Sequence, residues 1–239
     1  MSAEELESLL LVQEHDTARD RLRHKLAALP ERAELEAFTA QLRAREAEAA
    51  EVRGRRDVVL ADEKRLDDEA RSIGSRADEV NTRLYSGSTN SPKELQAMQA
   101  DIDMLHRHRS DLEDQELEVM EARETLDAEL ATVDAESARL TAEIERVRAI
   151  IAAAEVEIDA ELAVEDDAWT AAAAVVPDTL LADYQRRRAQ NRGAGAARLV
   201  GTSCTACHLS IPSTEAEQIR RAAGAQVAYC DNCGAILVP

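Results

Sequence analysis

Apolar residues recur at helix-compatible spacing from the start of the chain. Leu6, Leu9, Leu10, Leu22, Leu26 and Leu29 predict a first helix, which Pro30 and Glu31 interrupt or kink. After the proline, steps of three and four residues alternate without a slip through Leu35, Phe38, Leu42, Arg45, Ala49, Val52, Arg56, Val59, Glu63, Leu66, Ala70, Ile73, Ala77, Val80 and Leu84. A seam repeating every 3.5 residues predicts a left-handed coiled coil. Turn formers from Ser86 to Pro92 break the pattern, and Ser91, Pro92 and Glu94 restart it as N-cap, first-turn proline and capping-box glutamate. This places a hairpin tip at 85–93. The alternation returns at Leu95, Met98, Ile102, Leu105, Leu112, Val119, Leu126, Leu130, Val133, Ser137, Leu140, Ile144, Val147, Ile151, Ala154 and Ile158. If the arms pair about that tip, the polar seam positions Arg56, Glu63, Arg109, Glu116 and Arg123 come together mid-arm and fix the register by ionic contacts. Gly54 and Gly74 are soft spots in the first arm, each costing about 1 kcal/mol against Ala.

Beyond Ile158 the periodicity fades through an alanine run to Pro177, and Asp178 to Arg188 predicts a short third helix with a basic end. Asn191 to Gly195 has the composition of a flexible linker. Short apolar runs at 197–200, 226–229 and 235–238 predict strands, and Ser213 starts a helix reaching about Ala223. The expected architecture is mostly α: a long antiparallel coiled-coil hairpin with a small β-rich C-terminal unit. Domain boundaries are expected at 1–176, for the first helix plus hairpin, and 177–239, for the basic helix, linker and C-terminal unit.

Composition sharpens this picture. Of 239 residues, 32% are charged and 2% aromatic, so burial has to come from Leu, Val, Ile and Ala along helix seams. Net charge is −19, unevenly placed: a formal +3 from Leu180 onward and −22 before it. That balance argues against whole-molecule attraction to nucleic acid. No apolar stretch approaches membrane length and the N-terminus lacks a secretory pattern, so a cytoplasmic location without membrane contact is expected.

All four cysteines fall in the last 36 residues, as Cys204-x2-Cys207 and Cys230-x2-Cys233. Two intervening residues let one tight turn present both sulfurs to a single ion, and two such turns complete a tetrahedral cage. One structural Zn2+ is the expected occupant, with a rubredoxin-like iron site or a pair of redox dithiols as alternatives. His208, beside Cys207, is expected to be a surface residue, and His15, His24, His106 and His108 are expected to be solvated. A unit so poor in core is expected to depend on its metal to fold.

Basic charge gathers at Arg186, Arg187, Arg188, Arg192 and Arg198, with Arg220 and Arg221 on the last helix. These are candidates for gripping phosphate; equally, arginines at a helix C-terminus offset the macrodipole and pair with nearby acids. Glycine-rich phosphate loops, open-position metal motifs and paired nucleophile and base are all missing from the sequence, so an enzyme is not expected.

The chain resembles the bacterial coiled-coil hairpin proteins that carry a C-terminal four-cysteine zinc ribbon. The resemblance rests on Leu29-Pro30, the tip from Ser91 to Gln99, Cys204-Thr205-Ala206-Cys207, Ile211-Pro212, and Cys230 to Gly234 followed by Ile236-Leu237. It implies a non-enzymatic adaptor with protein partners in transcriptional control, secretion or motility, and in some members RNA. It also implies zinc on the four cysteines and partner contact at the tip, where Lys93, Glu94 and Gln96 are the candidates. A basic residue is frequent in the family where this chain has Ala235, which weakens an inherited nucleic-acid role for the final turn. Expected partners are therefore proteins, with RNA or DNA as the alternative, and the expected state is a monomer or weak dimer.

Overall fold

The computed structural model describes residues 2–88, 91–222 and 226–239. Among these described residues, five helices and four strands follow in order: α1 (Ala3–Ala27), α2 (Glu31–Tyr85), α3 (Pro92–Ala173), α4 (Asp178–Gln190), β1 (Ala196–Val200), β2 (Ser203–Cys204), α5 (Ser213–Arg221), β3 (Ala228–Tyr229) and β4 (Ile236–Val238). The chain divides into two compact units, residues 34–147 and residues 1–33 with 148–239.

In the unit of residues 34–147, α2 and α3 run antiparallel. Every apolar seam position named above within it is buried or half-buried. Leu66, Ala70 and Leu112 form a small core with Ile73 and Val119 against them. Small residues such as Ala49, Ala70 and Ala77 keep this core thin, so ionic contacts carry much of the register. Arg123 donates to both oxygens of Glu63 at 2.7 and 2.8 Å, and Arg56 Nε lies 2.6 Å from Asp127. Arg53 with Asp134 and Arg45 with Glu136 continue the pairing outward. Arg109 departs from the expected cluster: it is exposed and bonds Glu113 on its own helix. Its side chain lies 3.4 Å from where a Cβ on Gly74 would stand, whereas Gly54 faces open space. At the tip, Gly87 takes a left-handed φ of 71°, and Thr89 and Asn90 lie outside the described residues.

In the other unit, α1 opens with a capping box between Ser2 and Glu5. Leu6, Leu9 and Val12 of α1 pack on Ala172, Val176, Leu180 and Tyr184. The expected fading of the seam after Ile158 is corrected here. Leu162, Glu165, Trp169, Ala172 and Val176 continue the four-and-three spacing, all buried or half-buried, and part of this stripe packs on α1. His15 is likewise not solvated: it is half-buried, with Nδ1 2.7 Å from Glu165 of α3.

The strands form one sheet in the order β2-β1-β4-β3, with β1 and β4 parallel and the other neighbours antiparallel. Strand β2 was not expected from the sequence. Side chains alternate across this sheet. Ala196, Ile236 and Val238 face the helical core, while Ala197, Leu199 and Leu237 face a second core with Ile211, Ala216 and two of the cysteines. The sheet is therefore a middle layer between α1 with α4 and α5, which explains why all of β4 is buried.

The expected flexible linker is also corrected. Gln13 clamps it: its Nε2 donates to the Gly193 carbonyl at 2.9 Å, and its Oε1 accepts from the Gly195 N–H at 2.7 Å and the Ala196 N–H at 3.2 Å. A Cβ on Gly195 would stand 2.5 Å from the Tyr184 ring, so close approach rather than flexibility requires glycine there. Helix α5 ends at Arg221, and the expected end at Ala223 lies outside the described residues.

Candidate metal centre

Two matching turns carry the cysteines. In the first, the His208 N–H donates to the Cys204 carbonyl at 2.8 Å; in the second, the Gly234 N–H donates to the Cys230 carbonyl at 2.7 Å. The residue after the second cysteine takes a left-handed φ in both turns, 59° at His208 and 73° at Gly234. Glycine adopts that conformation freely and histidine pays a modest penalty. His208 is exposed, and its part in the turn is made by its backbone.

The Sγ atoms of Cys204 and Cys233 are 3.9 Å apart, those of Cys207 and Cys230 are 3.8 Å apart, and all four lie within 4.8 Å of one another. Zinc–sulfur bonds of about 2.3 Å make a tetrahedron with edges of about 3.8 Å, so the cage fits one zinc ion with four thiolate ligands. Such a closed set leaves no coordination position for a substrate, which is the signature of a structural site.

In the protein alone, burial pushes the Cys233 thiol up to about 12. Burial also raises Cys204, against backbone N–H groups of Cys207 and Ala206 that lower it. At Cys207 the Leu209 N–H dominates and lowers the thiol. Cys204 and Cys233 thus hold their protons until a divalent cation displaces them.

Most of the candidate arginines are engaged with groups of the same compact unit. Arg187 donates to the Gly234 carbonyl at 2.6 Å and its guanidinium lies 3.7 Å from the centroid of the Tyr229 ring. It also bonds Asp183 at 2.9 Å. Burial works to raise the Asp183 carboxyl, but the Arg187 hydrogen bond and charge outweigh it and hold the group below its usual range. Arg186 pairs with Asp183 as well, from an exposed position. Arg188 reaches back to Asp20 and Asp16 on α1. Arg198 makes a two-pronged pair with Glu7, with Nη1 2.9 Å from Oε1, and that contact lowers the Glu7 carboxyl. Arg192 stands apart in the turn after α4 with a left-handed φ of 51°. Arg220 holds the Gly201 carbonyl, and Arg221 pairs with Glu217.

Lys93, Glu94 and Gln96 are exposed together on the first turn of α3. Sequence reasoning missed Gln13, Asp16 and Tyr184, which seat the metal-bearing sheet. Their partners lie 168 to 183 positions away, and no local pattern marks them.

The chain matches the CT398-like coiled coil hairpin domain over residues 12–192 and the C4-type zinc ribbon domain over residues 203–237. Uncharacterized proteins from two strains of Mycobacterium tuberculosis are each 34% identical over 238 residues, covering 97% of this chain and 94% of theirs. A solved structure from Mycobacterium smegmatis is similar with a TM-score of 0.85 at 29% identity, over 100% of this chain and 98% of that one. CT398 from Chlamydia trachomatis shares the fold, with a TM-score of 0.64 at 17% identity over 98% and 96% of the two chains.

Proposed function

Because the chain belongs to the CT398-like coiled coil hairpin family and carries a C4-type zinc ribbon, we propose that it is a non-enzymatic adaptor that binds protein partners through its hairpin and ribbon. The observation that carries this reading is the pairing of the basic cluster. Arg186, Arg187, Arg188 and Arg198 each meet a carboxylate of the same compact unit, so most of the charge that would grip a phosphate backbone is already engaged. The net charge of −19 adds to this.

Among the described residues the cysteines form the one cluster able to hold a metal, and its four thiolates suit structure rather than chemistry. No helix among the described residues is long and apolar enough to cross a membrane. Two exposed surfaces offer partner contacts: the tip turn bearing Tyr85, Lys93 and Gln96, and the ribbon surface bearing Val200 and Leu209.

The test is affinity capture from a lysate of cells that express the protein, using the zinc-loaded full chain and two surface variants. One variant combines Lys93→Ala with Gln96→Ala and the other Val200→Ala with Leu209→Ala. These side chains are exposed, so the fold is expected to survive. Loss of a protein partner in one variant, with the other retaining it, is the expected result. Retention of every partner by both variants would remove the reading.

A further inference from the structure

The unit of residues 1–33 and 148–239 contains an open groove of about 660 Å³. That volume lies in the range of about 300–1,000 Å³ typical of small-molecule sites. Helix α1 forms one wall, the turn after α4 a second, and the first cysteine turn closes one side with Thr205 and Ala206.

Its lining is basic in an acidic protein. Arg21, His24 and Lys25 of α1 face the groove together with Arg192. Among the described residues, the side chains of Arg21, Lys25 and Arg192 make no ion pair or hydrogen bond. The one acid in the lining, Asp20, is engaged by Arg188, with Arg23 3.7 Å away. Cations near the end of α1 would offset its macrodipole, which accounts for His24 and Lys25. It does not account for Arg21, a turn earlier, or for Arg192, which belongs to a different segment. The backbone around Arg192 is held in place, since Gln13 pins the Gly193 carbonyl and the Gly195 N–H. The remaining lining at Ala194, Ala196 and Ala206 is apolar.

We propose that this groove binds a small phosphorylated ligand of nucleotide size. Its phosphates would lie among Arg21, Lys25 and Arg192, where unpaired cations gain charge-assisted hydrogen bonds, and its apolar or planar body would lie against the alanines. Because Thr205 and Ala206 sit between two metal ligands, the same ligand contacts the ribbon and couples its own binding to the folded metal centre. This site is independent of the protein-binding surfaces proposed above.

The experiment is calorimetric titration of the zinc-loaded full chain with ADP and with inorganic pyrophosphate at low salt. One-to-one binding of ADP is expected. It should weaken by about tenfold or more in the double variant Arg21→Gln with Lys25→Gln, and similarly in Arg192→Gln. Helicity and zinc content should stay unchanged, since all three side chains are exposed. Lys93→Gln, on the hairpin tip, should bind like the unaltered chain. The assignment is overturned if neither compound binds up to millimolar concentration, or if binding survives both groove variants. Single-stranded RNA that binds more tightly than ADP through the same three side chains would also overturn it, in favour of a polymer site.

Discussion

The Tyr184 hydroxyl donates a 2.7 Å hydrogen bond to the Asp16 carboxylate, and both residues are buried. Asp16 also lies 3.2 Å from Arg19 and 3.4 Å from Arg188, so the bond joins α4 to α1 inside a small charged network. Burial first, and then the Asp16 hydrogen bond and charge, push the Tyr184 phenol well above its ordinary range, so it stays a donor at any physiological pH. Removing that donor leaves a buried carboxylate short of one partner. Tyr184→Phe should therefore cost about 1.5–3 kcal/mol of stability, the range for hydrogen bonds to charged groups, measured by urea unfolding.

Two glycines should respond to alanine with opposite sign. At Gly195 the new methyl group would overlap the Tyr184 ring and its carbonyl at 2.5–2.6 Å, so Gly195→Ala should destabilise by about 1–3 kcal/mol or more. At Gly54, inside α2, nothing stands within 4 Å, and Gly54→Ala should stabilise by about 1 kcal/mol. Paired denaturation curves check both.

The contrast also shows which parts of the molecule were legible in the sequence. The seam from Leu35 to Ile158, the restart of the helix at Pro92 and the four metal ligands all follow from local spacing. The continuation through Leu162, Glu165, Trp169 and Ala172 escaped because a glutamate and an alanine run disguise a seam that turns to a new partner, α1. Gly193 and Gly195 looked like a linker because glycine marks flexibility and close packing alike. Only the distant Gln13 and Tyr184 distinguish the two. Of the arginines' partners, Asp183 lies three and four positions before Arg186 and Arg187, within reach of local reasoning, whereas Asp16, Asp20 and Glu7, the partners of Arg188 and Arg198, lie some 170 to 190 residues earlier.

The Glu63 and Arg123 pair bridges α2 and α3 with side chains only 19% and 26% exposed. Breaking it singly, as Glu63→Leu or Arg123→Leu, strands a half-buried charge and should cost about 1–2 kcal/mol each, less than for a fully buried pair. The double variant should recover most of that loss, since two leucines suit the seam. A double-mutant cycle in urea reads the coupling directly.

Zinc uptake should release protons. Because burial holds the Cys204 and Cys233 thiols above their ordinary range, they carry protons at neutral pH until a metal displaces them. Zinc affinity should therefore rise as pH rises and fall on acidification. One zinc per chain should be released by chelator or by Cys204→Ser, as followed with a colorimetric zinc indicator. Loss of the ribbon's circular-dichroism signal should accompany release, while the helical signal from α2 and α3 persists.

The central proposal is that proteins, not nucleic acids, are the partners. It meets its most direct test in a salt series with the zinc-loaded full chain, mixed cellular RNA and duplex DNA. Across the series, down to low salt, no saturable complex with either polymer is expected. Saturable binding that weakens steeply with salt, and is lost in Arg186→Ala combined with Arg192→Ala, would contradict the adaptor reading and make the protein a nucleic-acid regulator.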